Sequence, residues 1–348
     1  MSSVRAIADA LGVSVATVSR ALNNQPGVSE EMRKRVLQTA DRAGHRPSVG
    51  RKPTNLIGLA YPDEPVRADF GAFEAVLLAG VLKGVSERKF DLTFISVNRD
   101  KNRSETYKQF FNRKGVRGVI VRSLDNCGMA EAIAADGSPM VLVADRSDDP
   151  RVNFIDSDSR QTSRQAVEHL LGLGHRRIGL AIHRVADSDH RDREAGYREA
   201  LAGAGIAIDE SLIVRADASP EGGAMMLVSL LDQASPPTAI YFTNPLSTVG
   251  GLHKCLQLGI RVPKDLSIIG FDDGDIRMQT FPRFTAVCQD AQTLGLEAAR
   301  WLTRSLTGEV SGTFREIRPT TLAVHESTSF PPVSPVRLLE HSRVVQAT

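Results

Sequence analysis

The chain has 348 residues, 41% hydrophobic and 5% aromatic, with 28 glycines and a formal charge of +2. That length suits a large domain plus a smaller module, and the glycine-rich, aromatic-poor mixture favours α/β architecture over an aromatic-rich sandwich. No stretch approaches 18 apolar residues, which excludes a membrane-spanning helix, and no apolar run near Met1 marks a secretory signal, so a cytoplasmic protein is expected. Cys127, Cys255 and Cys288 are odd in number and widely spaced. They form neither a metal knuckle nor a redox pair; reduced structural thiols, no metal and no cofactor are expected.

The near-neutral total hides an asymmetry. Residues 1–60 hold nine Lys/Arg against four Asp/Glu, so the remainder is slightly acidic. A basic head on an acidic body suits a polyanionic partner.

In chain order, the first element is a helix over about 3–10, with Val4, Ile7, Ala8 and Leu11 on one side. Gly12 breaks it, and Ser14 caps a second helix from Val15 to Leu22. After the Asn23–Gly27 loop, Ser29 caps a third, with Glu30 and Glu31 in its first turn and Gly44 at its end. Two helices joined by a tight glycine turn and braced by a third make a helix-turn-helix. Val18 and Leu22 face inward, leaving Val15, Ala16, Ser19 and Arg20 outward. Val15 or Ala16 can pack a thymine methyl, and Arg20 can fork onto guanine O6 and N7. Ser14, Thr17 and Asn23 can hold phosphates. The same three helices also fit a small cap or dimerisation module.

The stretch 4–47, above all Val-Ser-Val-Ala-Thr-Val-Ser-Arg-Ala-Leu-Asn at 13–23, resembles the DNA-binding head of the lactose-repressor family of bacterial transcriptional regulators. The resemblance implies that Val15, Ala16 and Arg20 read bases and that Asn23 lies near the backbone. It also exposes a departure. Relatives have about eleven residues between the positions of Pro47 and Thr54-Asn55, including a helix that pushes a leucine into the minor groove. Here only Ser48-Val49-Gly50-Arg51-Lys52-Pro53 intervenes. Six residues with a glycine and a final proline do not make that helix, so no leucine wedge is expected. Arg51 and Lys52 either touch phosphates or form a solvated tether.

From Leu56 the pattern alternates strand and helix. Strands are expected at 55–60, 91–97, 117–121, 139–144 and 152–155, then at 177–182, 211–215, 238–242, 266–271 and 284–287. Helices are expected at about 70–88, 102–114, 127–136, 160–173, 192–204, 221–233, 246–258 and 290–307. Short apolar strands between helices indicate parallel sheets covered on both faces, and two runs of five suggest two doubly wound lobes. The expected organisation is a helix-turn-helix head (1–47), a shortened linker (48–54), a two-lobe effector-binding and dimerisation body (55–330) and a tail without packed elements (331–348), where prolines abound and no period is visible.

Ligands of such sheets bind beyond the carboxyl ends of the strands. Polar residues gather there: Asp69, Phe70 and Arg122 in the first lobe; Asp145-Arg146, Asp156 and Asp158; Asn244; and Asp272-Asp273. Carboxylates, an amide and arginines suit a polyhydroxylated ligand, although Asp and Asn are equally at home as helix caps. The body also resembles the same family in HLLGLGHRRIGL (169–180), REAGYREAL (193–201), VPKDLSIIGFDD (262–273) and PTTLAVHEST (319–328). This implies a core similar to the periplasmic sugar-binding proteins (type I). It implies that Arg193, Asn244 and Asp272 face a small-molecule effector, with Phe70, Arg122, Asp145 and Asp158 nearby. Pro245, Thr162 and the charged loop 61–69 depart from the family pattern at positions that bear on which ligand is taken. His175, in a Gly-His-Arg-Arg turn, reads as structural.

No GxGxxG follows the first strand, and no P-loop, GxSxG elbow or HExxH occurs. The chain therefore reads as a non-enzymatic, sequence-specific transcriptional regulator, most naturally a repressor. It would act as a homodimer on double-stranded operator DNA under control of a carbohydrate effector, with no membrane contact. A plain binding protein without a DNA role would leave the basic head unexplained.

Overall fold

The computed structural model describes residues 4–22, 27–42, 55–63, 72–123, 128–184, 188–339 and 343–346. The chain divides into two compact units, Met1–Thr54 and Asn55–Thr348.

The first unit contains α1 (Val4–Leu11), α2 (Val15–Leu22) and α3 (Glu30–Arg42). Ile7 and Ala8, Val18 and Ala21, and Val36 and Ala40 meet in one small core. On α2 the inward pair is Val18 with Ala21, while Leu22 is only partly buried. The missed residue is small because α2 lies close on its neighbours. Gly12 takes a left-handed φ of 65° at the turn, where a side chain would be strained. The Ser14 hydroxyl accepts the Thr17 amide at 3.0 Å, and that of Ser29 accepts the Met32 amide.

The second unit is two stacked α/β lobes. Lobe 1 contains β1 (Leu56–Tyr61), α4 (Ala72–Ser86), β2 (Asp91–Ser96), a single turn α5 (Val97–Asp100), α6 (Tyr107–Lys114), β3 (Gly118–Val121), α7 (Met129–Ala135), β4 (Met140–Val143) and β5 (Phe154–Asp158). Lobe 2 follows with α8 (Ser159–Gly172), β6 (Ile178–His183), α9 (Ser188–Gly203), β7 (Ile213–Ala216), α10 (Pro220–Leu231), β8 (Ala239–Phe242), α11 (Pro245–Leu258), β9 (Ser267–Asp272) and β10 (Thr285–Cys288). The chain then returns to lobe 1 as α12 (Ala291–Leu306) and β11 (Arg315–Pro319), and crosses once more as β12 (Thr321–Ala323). Sheet orders are β11-β5-β4-β3-β1-β2 and β12-β10-β9-β8-β6-β7.

All ten expected strands form, and each sheet gains a sixth. β11 pairs parallel with β5, and β12 pairs antiparallel with β10. These two are short, polar and half exposed, so they carry no apolar run to betray them. Within β1, Ile57, Leu59 and Tyr61 face the core under α4 and α12, whereas Ala60 faces the one under α6 and α7. That alternation is the period of a strand covered on both faces. Lobe 2 repeats the plan, with α10 and α11 on one face and α8 and α9 on the other.

The tail expected at 331–348 is a correction. Val336–Leu339 (β13) pairs antiparallel with Arg343–Gln346 (β14), and Val336 and Leu338 enter the lobe 2 core beside α10. Pro331, Pro332 and Pro335 precede the strand rather than interrupt it, which is why they do not prevent it. His175 is a buried turn residue, Nδ1 on Thr238 Oγ1 at 2.8 Å and Nε2 on the Ser329 carbonyl at 2.9 Å.

Glycines set the spacing of the covering helices. A Cβ at Gly80 of α4 would lie 2.0 Å from the Gln292 carbonyl oxygen of α12, and one at Gly295 would lie 2.2 Å from that of Leu77. Gly196 on α9 and Gly223 on α10 make equally close approaches to α8 and α11. Gly80→Ala is therefore expected to cost about 1–3 kcal/mol, because backbone must move apart. Gly172→Ala, with open space around it, should cost nothing. Urea denaturation midpoints of the two variants check this.

Candidate functional site

On the head, α2 presents Ser14, Val15, Ala16, Ser19 and Arg20 to solvent, with Thr17 half-buried. Val15 is 47% exposed and stands free at the N-terminal turn of α2. Ser14 and Thr17 hydroxyls lie 2.8 Å apart, so the pair is ordered by its own contact. Asn23, Arg51 and Lys52 lie outside the described residues.

In the body, Arg122, Asp145, Asp158, Asn244 and Asp272 fall at strand ends and Arg193 on α9, and several are already engaged. Arg122, just after β3, is buried. It pairs with Glu74 of α4 at 2.8 Å, donates to the Val143 and Ala144 carbonyls, and lies over Phe73. Asp145 is buried and accepts the Arg146 amide at 2.9 Å. The preceding Ala144 has a left-handed φ of 51°, a strained geometry for alanine that turns the chain sharply at the end of β4. Phe70 lies outside the described residues.

Asp158 caps α8 through the Gln161 amide, and its carbonyl accepts the Thr320 hydroxyl at 2.8 Å. It therefore stands where two of the three crossings between lobes touch. Asn244 caps α11, its Oδ1 accepting the Leu246 and Ser247 amides, with Pro245 at the first helical position. Proline there needs no amide partner, which explains why the departure at Pro245 leaves the helix intact.

Arg193 is the most enclosed of the set. Its guanidinium lies 3.6 Å from the Phe271 ring centre, donates to the Thr243 carbonyl at 2.8 Å and pairs with Asp189 at 3.1 Å. Asp272, also buried, accepts the Gly274 and Ile276 amides and a guanidinium N–H of Arg277. Burial pushes its neighbour Asp273 up to about 7, opposed by Arg193 and by the Gln289 amide that donates to it. Burial and the nearby Asp189 likewise push Asp156 to about 7, opposed by Arg146.

Several of these groups were not expected from sequence. α9 begins at Ser188 rather than 192, and the added turn supplies Asp189 and His190. That turn is wholly polar, so no apolar spacing announces it. The spacing of Asp189, Asp192 and Arg193, which places them on one helix face, was the available signal. Arg277 belongs to a short turn after β9 with no regular pattern.

A cavity of about 500 Å³ opens between the lobes. It is lined by Glu131, Arg146, Asp148 and Asp149 of lobe 1 and by Arg191 and Asp192 of lobe 2, among others. Its wall is strongly polar. Among the described residues no cluster of three or more His, Cys, Asp or Glu is placed to hold a metal, and no helix is long and apolar enough to cross a membrane. Burial pushes the Cys255 thiol to about 12 and that of Cys288 to about 11, far from reactive thiolates.

A small three-helix head with an exposed second helix, joined to a two-lobed body with a polar cleft, defines a ligand-responsive DNA-binding regulator. Comparison with known proteins makes the assignment specific. Residues 3–48 match the family model described as bacterial regulatory proteins, lacI family, and residues 167–328 match a periplasmic binding protein-like domain. The chain is 30% identical to the HTH-type transcriptional regulator DegA of Bacillus subtilis over 93% of its own length and 97% of that protein's. It is also 30% identical to the ribose operon repressor of Haemophilus influenzae, over 87% and 91%. The structure of a transcriptional regulator CelR–cellobiose complex aligns with a TM-score of 0.68 at 29% identity, covering 93% of this chain and 99% of that one. The chain belongs to the lacI family of bacterial regulatory proteins. It is a sequence-specific DNA-binding regulator of operator DNA, not an enzyme.

Two outcomes are expected. Replacing Arg20 with Ala should weaken specific operator binding by about 1–3 kcal/mol and leave binding to random duplex nearly unchanged. Equal loss on both, in anisotropy titrations, would make Arg20 a phosphate contact. Asp273 titrates near 7 when folded and near the ordinary carboxylate value when unfolded. The folded body then binds the extra proton, and its stability falls as pH rises from about 4 through 7. Asp273→Asn retains the acceptor for Gln289 and should flatten that fall. Urea midpoints at pH 5 and pH 8 test it, and an unaltered difference would mean that Asp273 is already ionised at pH 5.

Proposed function

We propose that the protein is a cytoplasmic homodimeric repressor whose interlobe cleft binds a sugar or sugar derivative. The observation that carries this reading is the enclosed Arg193. A guanidinium stacked on Phe271, steadied by Asp189 and bonded to the Thr243 carbonyl is a rigid, preorganised donor, and Asn244 and Asp272 directly follow the two residues it touches at the ends of β8 and β9. Alternating fixed donors and acceptors at strand ends match the hydroxyl groups of a sugar ring, each of which both gives and takes a hydrogen bond. The names of the ribose operon repressor and of the CelR–cellobiose complex point to the same ligand class.

In this reading Val15, Ala16 and Arg20 contact base edges, and Ser14, Thr17, Ser19, Asn23, Arg51 and Lys52 contact backbone or fix register. Two heads on one dimer read a pseudo-palindromic operator. A ligand that prefers closed lobes changes operator affinity, and operator DNA changes ligand affinity by the same factor. Arg122 and Asp158 serve the cleft through shape, one tying α4 to β4 and the other capping α8.

The test is titration calorimetry of the purified chain against mono- and disaccharides, their phosphates and sugar acids. One class should bind, and Arg193→Ala should lower its affinity by at least tenfold while operator binding persists. Absence of heat across the panel, with operator binding intact, would overturn the sugar assignment.

A further inference from the structure

Arg146 follows the strained Ala144 turn at the end of β4, so it belongs to lobe 1. Its Nε donates to Asp156 Oδ2 of β5 at 2.9 Å, within the same lobe. Its Nη2 donates to Asp192 of α9, across the boundary in lobe 2. A second contact crosses at the same carboxylate, where the Ser188 hydroxyl donates to Asp156 Oδ2 at 3.4 Å.

The two ends of the fork are not equivalent. The Asp156 side chain is wholly buried, whereas that of Asp192 is 20% exposed and that of Arg146 31% exposed. Both Arg146 and Asp192 line the 500 Å³ interlobe cavity, and Asp156 does not. Breaking the inner pair strands a charge in a desolvated site, while breaking the outer pair exposes both partners to water. The lobes also touch at Gly274, beside Val76 of α4, where a Cβ would come within 2.8 Å. That near-contact requires the lobes to be drawn together.

We infer that Arg146 is a lobe-to-lobe latch: anchored on buried Asp156 of lobe 1, it grips Asp192 of lobe 2 and favours lobes drawn together, and Asp192 is the end that lets go. Hydrolysable or covalent chemistry plays no part; the latch is an ion pair in competition with water and with whatever polar molecule fills the cavity. It is independent of effector identity. Its consequence is that lobe closure has a source other than ligand, so the ligand-free protein starts partly biased towards the closed state.

Hydrogen–deuterium exchange on the full-length chain without effector tests it. The variants are Arg146→Gln, Asp192→Asn, their combination, and Asp148→Asn as a control on the same cavity wall. A latch predicts that Asp192→Asn speeds exchange roughly two- to fivefold, the range for a partly exposed ion pair, and that Arg146→Gln, which also strands Asp156, speeds it by at least as much. The acceleration should appear on both sides of the boundary, in residues 144–149 and in residues 188–193, although only one side is altered. The double variant should not exceed Arg146→Gln, and Asp148→Asn should change little. Amides of β1 and β8 should stay protected, reporting intact lobes. Acceleration confined to the altered side, additive effects in the double variant, or no acceleration would each overturn the inference.

Discussion

A charge removed from water needs its opposite close at hand, and this need governs the lobe boundary. Parallel strands in both sheets end there, at or just before Arg122, Asp145, Arg146, Asp158, Asp272 and Asp273, with Asp156 within β5 and Arg193 on α9. Each arginine is met by a carboxylate: Arg122 by Glu74, Arg146 by Asp156 and Asp192, Arg193 by Asp189, Arg277 by Asp272. The pairs are geometrically demanding in a low-dielectric setting, so they fix side-chain orientation more than they add stability. Within each lobe the donors and acceptors at the boundary are therefore held in place by their own partners.

The fold was legible because its governing features are local. Runs such as LIGLA, RGVIV and PMVLVA mark strands buried on two faces, and glycines and caps mark the turns between them. What escaped were pieces whose character depends on distant partners. β11 and β12 are strands only because β5 and β10 offer free edges. β13 is packed only because α10 has a bare apolar side. The first turn of α9 is polar throughout and is held as helix by contacts with β5 and α8.

The site was half legible. Sequence pattern puts Asp145, Asn244 and Asp272 at the carboxyl ends of β4, β8 and β9, as in the structure, while Arg193 stands on α9. It cannot distinguish a carboxylate waiting for ligand from one spent on a cap. Asp158 and the Oδ1 of Asn244 proved to be spent in that way, and Arg122 proved to be a tie between α4 and β4. Conversely, Asp189 and Asp192 take their meaning from arginines 4 and 46 positions away, the second of them in the other lobe. Head residues were easier, because a short amphipathic helix divides inward from outward by spacing alone; Ala21 was overlooked only for its size.

The order in which the chain visits the lobes bears on how the protein is made. Lobe 1 opens with β1 and α4, yet the core beneath α4 includes Leu294, Ala298 and Leu302 of α12. More than two hundred residues, including most of lobe 2, leave the ribosome between those two helices. Until α12 arrives, the glycine-lined face of α4 lacks the helix it packs against, and the core around Leu77 and Val81 is incomplete. The five strands β6 to β10 of lobe 2 can gather while lobe 1 still lacks α12 and β11, so lobe 1 begins before lobe 2 and waits on it. The growing polypeptide thus passes through a stage with one unclosed apolar surface, the stage at which a chaperone would be most useful.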